Sequence, residues 1–294
     1  MGQKLRNSIL LLCAAAIWGF AFSFQQMGGE AMGPFTFNAC RSLIGSISVL
    51  PVIKIAYGKL RPSRDTLIGG ILCGLCLTAA CNLQQVGILY TSPGKAGFVT
   101  ASYMILVAVF SLFIGRKTEK IVLLAVVLGV IGLYLICVPD GEDLSINKGD
   151  LYCILCALFF AIQIMIIDHY GDRVESVKMC SIQFLTVGIL TSVLAFLFET
   201  PTAGQLRNGL GALLYVGILS TGVAYSLQMV GMIGINPAVS SLIMSLESVF
   251  SVIGEWLILG TMLSGKALSG CVVMFAAILL SQVPAVRESM KKKS

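Results

Sequence analysis

Residues Asn236 to Trp256, NPAVSSLIMSLESVFSVIGEW, decide how this chain is read. Asn236 has a side-chain oxygen suited to cap a helix, and Pro237 suits the first turn, where no amide hydrogen is needed. The run that follows is apolar and as long as the ~20 residues a helix needs to cross a bilayer. Glu247 stands inside it, ten residues past Pro237. At a rise of ~1.5 Å per residue that is about 15 Å along, near the midplane of a ~30 Å hydrocarbon core. An ionisable group there costs on the order of 3 kcal/mol or more unless it is paired or faces a watery cavity, so it marks a functional site by default.

The rest of the chain agrees with a membrane protein. Of its 294 residues 57% are hydrophobic and only 12% charged, against about a quarter charged in a soluble domain. The length accommodates about ten spans of roughly 20 residues, and the alternating segments of a β-barrel are absent. The net charge of +6 does not point to nucleic acid, because the basic residues sit at helix ends and in short loops, as orientation signals do. The run after Lys4 and Arg6 continues through Phe24 without a signal-peptidase site. Cys73/Cys76 and Cys153/Cys156 have C-x-x-C spacing, but within apolar spans and with His169 as the one histidine. Packing residues, not a metal site or cofactor, are expected.

Ten spans are predicted: Asn7–Met27, Pro34–Tyr57, Asp65–Tyr90, Pro93–Gly115 and Lys120–Val138, then Gly149–Asp168, Val177–Phe198, Leu206–Met232, Pro237–Leu259 and Ser264–Val283. The polar connection Pro139–Asp143 divides them. With the N-terminus in the cytoplasm, fifteen of the twenty lysines and arginines fall on inward segments, among them Lys54, Lys59, Arg61, Arg64, Arg116, Lys117, Arg173, Lys178, Arg287 and Lys291 to Lys293. Both termini are therefore expected inside.

The halves echo each other. LQQVGILYTSP (Leu83–Pro93) aligns with LQMVGMIGINP (Leu227–Pro237) at a shift of 144 residues, and CAAAIWGFAF (Cys13–Phe22) with LCALFFAIQI (Leu155–Ile164) at a shift of 142. Five spans per repeat is an odd number, so the second repeat (149–286) is inverted relative to the first (1–138). Inverted repeats are a transporter signature, with substrate held near the midplane between them.

Three motifs resemble the EamA family of the drug/metabolite transporter superfamily. W-G-x-x-F stands as Trp18–Phe22, T-S-x-G-K-A-G-F-I-T-x-x-Y as Thr91–Tyr103 with Val99 in place of the isoleucine, and S-L-E-[SP]-V-F as Ser245–Phe250. The resemblance runs along nearly the whole chain. It implies ten helices, with the first, third, fourth, sixth, eighth and ninth around a central cavity and the fifth and tenth peripheral. It also implies translocation by alternating access, often export of amino acids or related metabolites. The chain departs from the family where many members have Gly-Glu after the ninth helix, since Gly260-Thr261 stands there. The usual polar residues after the eighth helix are replaced by Met232–Ile235.

Trp18, Gln84, Tyr103, Tyr225, Gln228 and Glu247 are the candidate substrate-binding residues. Gln84 and Gln228 occupy matching places in the repeats, where they serve either substrate or an interhelical hydrogen bond. Trp18 stands near the midplane, away from the interfacial zone tryptophan prefers, and its indole N–H needs a partner there. Asn82, Gln85 and Gln163 are weaker candidates. Arg41, Lys95 and Glu255 are candidates for charge pairing or gating. Arg41 lies about 10 Å from the outer face, within reach in depth of both Glu247 and Glu255. A buried Arg41–Glu247 pair is thus the alternative to a cavity role for Glu247. Lys95, in a first turn near the surface, is expected to snorkel to water.

The leading expectation is a multi-pass cell-membrane protein of the bacterial cytoplasmic membrane. It is read as a secondary transporter exporting amino acids or related compounds, since no phosphate-binding G-x-x-x-x-G-K-[ST] loop is present. Expected partners are the small-molecule substrate, the lipid bilayer and protons or another coupling ion, with a monomer or homodimer as the assembly. The alternative is uptake of an organic cation or amine, with Glu247 as counter-charge and Trp18, Tyr103 and Tyr225 as aromatic faces. A membrane-embedded enzyme is the remote reading, resting on Asp168, His169, Asp172 and Glu175 in one inward turn.

Overall fold

The computed structural model describes residues 3–115, 118–137, 147–260, 264–281 and 283–284. Arg116, Lys117, the connection Pro139–Asp143, Thr261, Arg287 and Lys291 to Lys293 lie outside the described residues, as do the expected repeat ends at 138 and 286. Every regular element described is helical: α1 (Gln3–Met32), α2 (Pro34–Ser48), α3 (Leu50–Tyr57), α4 (Arg64–Ile88), α5 (Pro93–Ala101), α6 (Tyr103–Phe113), α7 (Lys120–Cys137), α8 (Lys148–Tyr170) and α9 (Ser176–Phe198) come first. They are followed by α10 (Ala203–Asn208), α11 (Leu210–Leu214), a π-helical segment (Tyr215–Ala224), α12 (Tyr225–Gly231), α13 (Pro237–Met244), α14 (Glu247–Leu259) and α15 (Gly265–Ser281).

Among the described residues, eight helical segments are long and apolar enough to cross a membrane. Some are compound: α2 with α3, α5 with α6, and α13 with α14 each form one segment. Ten spans are expected from the sequence, and two shorter apolar helices stand at the remaining places. The helices at the fifth and tenth places, α7 and α15, are shorter apolar elements that pack chiefly on each other. Their roughly 26 Å, at 1.5 Å per residue, falls just short of a ~30 Å core.

The distribution of polarity is that of a protein solvated by lipid. Ile55, Phe113 and Phe196 point outward at 86%, 84% and 88% exposure, while Asn38, Gln85, Gln163, Gln183 and Thr191 are fully buried. Apolar side chains on the outside lose nothing in hydrocarbon, whereas polar groups must find partners within the protein. Asn82 shows how: its amide nitrogen donates to Thr191 Oγ1 and its Oδ1 accepts from Asn38, each at 2.8 Å. One residue thereby ties α4 to α9 and to α2. Gln85 Nε2 likewise donates to the Gln25 carbonyl of α1 at 2.8 Å.

Two spans begin with the same device. Ser92 Oγ accepts from Lys95 N and Asn236 Oδ1 from Ala238 N, each cap followed by a proline at the first helical position. Both spans then break near mid-length, at Ser102 between α5 and α6, and at Ser245–Leu246 between α13 and α14. Ser102 Oγ donates to Val99 O at 2.6 Å and Ser245 Oγ to Leu242 O at 2.7 Å. A serine bonding back to its own helix in this way bends it. Glu247 and Tyr103 are the first residues beyond the breaks.

Candidate functional site

Trp18, Gln84, Tyr103, Tyr225, Gln228 and Glu247 line one buried cavity, and Arg41 joins them. They come from α1, α4, α6, α12, α14 and α2, so six stretches of chain converge. Phe22, Gln25, Thr100, Phe160, Gln163, Ile164 and Ser220 complete the wall. The free space is about 40 Å³. Since one water needs roughly 10–15 Å³ on this measure, the cavity has room for a few waters.

Close approach of helices makes this possible. A Cβ on Gly19 of α1 would lie 2.6 Å from Glu247 O. A Cβ on Gly97 of α5 would lie 2.8 Å from Ser251 Oγ. Ser248 Oγ also donates to Gly97 O at 3.0 Å, locking α14 to α5. Only glycine lets α14 pass this close to both neighbours and bring Glu247 to the centre.

Several hydrogen-bond donors of the wall are committed. The Trp18 indole N–H donates to Ser220 O at 3.2 Å, a carbonyl of the π-helical segment, where altered backbone pairing is often functional. Trp18 meets the Tyr225 ring edge-on at 4.7 Å, and Phe184 supports Tyr225 from behind at 4.6 Å. Gln84 Nε2 donates to Thr100 Oγ1 at 3.3 Å. Tyr103 lines the cavity beside Glu247 and packs 6.3 Å from the Phe160 ring. Arg41 Nε donates to Asn38 Oδ1 at 2.7 Å, and another guanidinium nitrogen to Thr221 Oγ1 at 3.4 Å.

The acceptors are less well supplied. Gln25 Oε1, Gln163 Oε1, Gln228 Oε1 and Glu247 Oε1 are buried without a hydrogen-bond partner. Buried acceptors left in that state carry a desolvation cost of about 1–3 kcal/mol each, so the wall is set up to receive donors. Among the described residues no ion pair joins Arg41 to Glu247 or to Glu255. The wall therefore holds one guanidinium and one carboxyl group, not bonded to each other.

Of the remaining candidates, all but Gln163 stand away from the cavity. Lys95 does not simply snorkel: its Nζ pairs with Asp150 Oδ2 at 2.8 Å. Asp150 is buried, which makes the pairing obligatory for it. Glu255 Oε2 accepts from Gly94 N at 3.2 Å instead of reaching Arg41. Asn82 and Gln85 make interhelical bonds, while Gln163 does line the cavity. Asp168, His169 and Glu175 form no metal site; among the described residues no group of three potential ligands is found. The nine described cysteines are free thiols.

Sequence reasoning missed Gln25, Thr100, Phe160 and Ser220. A signal for Phe160 was available, because it stands at the place of Trp18 in the 142-residue shift. Carrying the 144-residue shift beyond Pro93 likewise aligns Tyr103 with Glu247. No comparable pattern marks Ser220, whose part is played by a carbonyl.

A family model described as the EamA-like transporter family matches residues 6–138 and again 147–282. An uncharacterized transporter of Archaeoglobus fulgidus is 26% identical over 279 residues, covering 95% of this chain and 86% of its own length. The uncharacterized transporter YoaV of Bacillus subtilis is 22% identical over 92% of this chain and 94% of its own. A solved crystal structure of a protein superposes with a TM-score of 0.79 at 17% identity, covering 94% of this chain and 98% of that one, which shows a common fold.

Proposed function

The chain belongs to the EamA-like transporter family, and from that premise we propose that it is a secondary transporter of amino acids or closely related metabolites, working by alternating access around the central cavity. In this reading residues 1–138 and 149–286 are two inverted five-helix repeats in the cell membrane, with both termini in the cytoplasm. Trp18, Gln84, Tyr103, Tyr225, Gln228 and Glu247 bind substrate.

One observation carries the substrate class: Arg41 and Glu247 line the same buried cavity without pairing. Two opposite charges kept apart in a poorly solvated space are costly. A zwitterion, whose ammonium meets Glu247 and whose carboxylate meets Arg41, relieves both. The vacant Glu247 oxygen would hold a proton when no ammonium is present, which links protonation to occupancy and gives a route to proton coupling.

A second reading is transport of an organic cation. It rests on the unpartnered Glu247 oxygen beside the rings of Trp18, Tyr103 and Tyr225, which suit a cation held against aromatic faces. Counterflow in proteoliposomes of the purified protein separates the two. Amino acids should exchange, while their decarboxylated amines and N-acetyl derivatives should each lose most of that exchange. Amines that match their parent amino acids would replace the zwitterion reading with the cationic one. Flux with and without an imposed proton gradient tests the coupling.

A further inference from the structure

A chain of side-chain amides runs outward from the Arg41 guanidinium, through α2 and into α4. Asn38 stands three residues before Arg41, on the same face of α2, and both are buried. Arg41 Nε donates to Asn38 Oδ1 at 2.7 Å. Asn38 Nδ2 donates in turn to Asn82 Oδ1 of α4 at 2.8 Å. Asn82 Nδ2 then donates to the Thr78 carbonyl and to Thr191 Oγ1 of α9, each at 2.8 Å. The guanidinium is held from a second side, where its Nη1 donates to Thr221 Oγ1 at 3.4 Å. A Cβ on Gly45 would collide with the Thr221 side chain, so the π-helical segment lies directly against α2 there.

The chemistry at the two ends of this chain fixes the direction of both amides between them. An arginine Nε–H can only donate, so Asn38 must turn its oxygen to Arg41 and its nitrogen to Asn82. A peptide carbonyl can only accept, so Asn82 must turn its nitrogen to Thr78 and its oxygen to Asn38. The two requirements start from opposite ends and agree. Asn38 is 0% exposed, so no water can take over a lost partner. Turned over, its amide would set N–H against N–H at Arg41 and oxygen against oxygen at Asn82. A serine or threonine at 82 could tie α2 to α4, but its rotating hydroxyl would not pass this polarity on.

We propose that Asn38, oriented by Asn82, is a positioning residue for Arg41: it keeps the guanidinium from closing onto the Glu247 carboxyl and presents it to the cavity as a fixed fork for a carboxylate. The carboxylate rests on the zwitterion reading, whereas the positioning can be measured with no substrate present. The full chain, carrying nitrogen-15-labelled arginine, is placed in lipid nanodiscs. Solvent exchange of the Arg41 Nε–H is followed by NMR, its signal assigned by its loss in Arg41→Lys. Asn82→Leu leaves Asn38 free to turn over and should speed this exchange about tenfold. Asn82→Asp keeps an oxygen for the Asn38 amide while giving up the amide nitrogen directed at Thr78 and Thr191. Thr191→Val removes the tie to α9 and leaves the Thr78 carbonyl in place. Both should stay within about threefold of the wild type.

Unchanged exchange in Asn82→Leu overturns the proposal. Equal acceleration in Asn82→Leu, Asn82→Asp and Thr191→Val overturns it too, and makes Asn82 a tie between helices and no more. Should Asn82→Leu fail to fold, Asn82→Ser decides in its place, with faster exchange expected than in Asn82→Asp. Counterflow carries the proposal to the site. The amino acid that exchanges fastest in the wild type should need about tenfold more for half-maximal rate in Asn82→Leu, with the maximal rate within a factor of two. Asn82→Asp should recover most of that loss. A maximal rate that falls while half-saturation stays put overturns the role in binding. If no amino acid exchanges in the wild type, the zwitterion reading fails, and the Arg41 Nε–H still decides the positioning.

Discussion

The span built from α5 and α6 and the span built from α13 and α14 share a backbone and differ in chemistry. Each starts with a capped proline. Each breaks where an amide turns back three residues, Ser102 N to Val99 O and Leu246 N to Ile243 O, both at 3.2 Å. Each presents its first residue beyond the break to the same cavity. In one that residue is Tyr103, in the other Glu247. Two carboxylates at these places would have repelled each other in a poorly solvated space. One tyrosine and one glutamate instead share the cavity, and Glu247 Oε1 is buried there without a hydrogen-bond partner. A duplicated helix break thus supplies two equivalent seats, and their divergence makes a site with a direction.

Removing the charge should break that difference most severely. Glu247→Gln keeps the shape but loses a charge-assisted hydrogen bond of about 1.5–3 kcal/mol, so substrate affinity should fall roughly 10–100-fold. The pH dependence of transport should vanish while the thermal midpoint stays near that of the wild type. Binding measured by calorimetry and counterflow at several pH values gives both readings. Full affinity with an unaltered pH profile would return Glu247 to the status of a packing residue.

The geometry that seats Glu247 can be attacked from the neighbouring helix. Gly19→Leu places atoms against the Glu247 carbonyl and the Phe250 backbone. Overpacking of this kind costs about 1–3 kcal/mol. A lowered thermal midpoint is expected, with transport falling further than stability because α14 is pushed off the cavity. Gly97→Ala, which meets only the rotatable Ser251 hydroxyl and side chain at close range, should cost less. Equal effects from the two would mean that α14 is not held closely by α1.

Tyr103→Phe sharpens the comparison more gently. It deletes the hydroxyl beside Glu247 in the cavity, worth about 0.5–1.5 kcal/mol if it bonds the carboxyl or the substrate, and should weaken affinity by a few-fold. Its effect should disappear in a Glu247→Gln background if the two act as one unit. Additive losses in the double variant would separate them.

Much of this was legible in the residues, for identifiable reasons. Pro93 and Pro237 mark span starts because proline needs a free first turn, and Glu247 stands out because charge in a span is expensive. Gln84 and Gln228 are visible through the repeat. The breaks are harder to read: Ser102 and Ser245 bend their helices by bonding backward, yet Ser241 and Ser251 make the same bond without ending a helix. The π-helical segment leaves no mark, since residues 71–80, at the corresponding place in the first repeat, form ordinary helix. Asp150 escaped notice because it reads as an ordinary capping residue, and its pairing with Lys95 depends on two helices distant in sequence.

The smallest effect is expected at a carboxylate that is fully supplied with partners, and it serves as the control for Glu247. Glu175 precedes α9 and reaches to the start of α4, where it accepts from Ser63 N at 3.0 Å and Thr66 Oγ1 at 3.2 Å and pairs with Lys178. Burial pushes its pKa upward most strongly of any single influence, but the Lys178 ammonium, the Ser63 amide and the Thr66 hydroxyl together outweigh it and hold the carboxyl below its ordinary value. A depressed pKa means that the folded state favours the charged form. The stabilisation is then fully present above the unfolded value of about 4.3 and is lost as pH falls through the folded one. The thermal midpoint should accordingly be insensitive to Glu175 ionisation above about pH 5 and should drop in more acidic solution. Glu175→Gln should lower the midpoint slightly at neutral pH and flatten the acid-side decline, because this partly exposed group is screened by solvent. Between pH 6 and 8 it should leave the pH profile of transport where it was, in contrast to Glu247→Gln. A transport profile that moves with Glu175 in that range would place the proton-linked step at the end of the seventh span, and the difference between Tyr103 and Glu247 would no longer account for it.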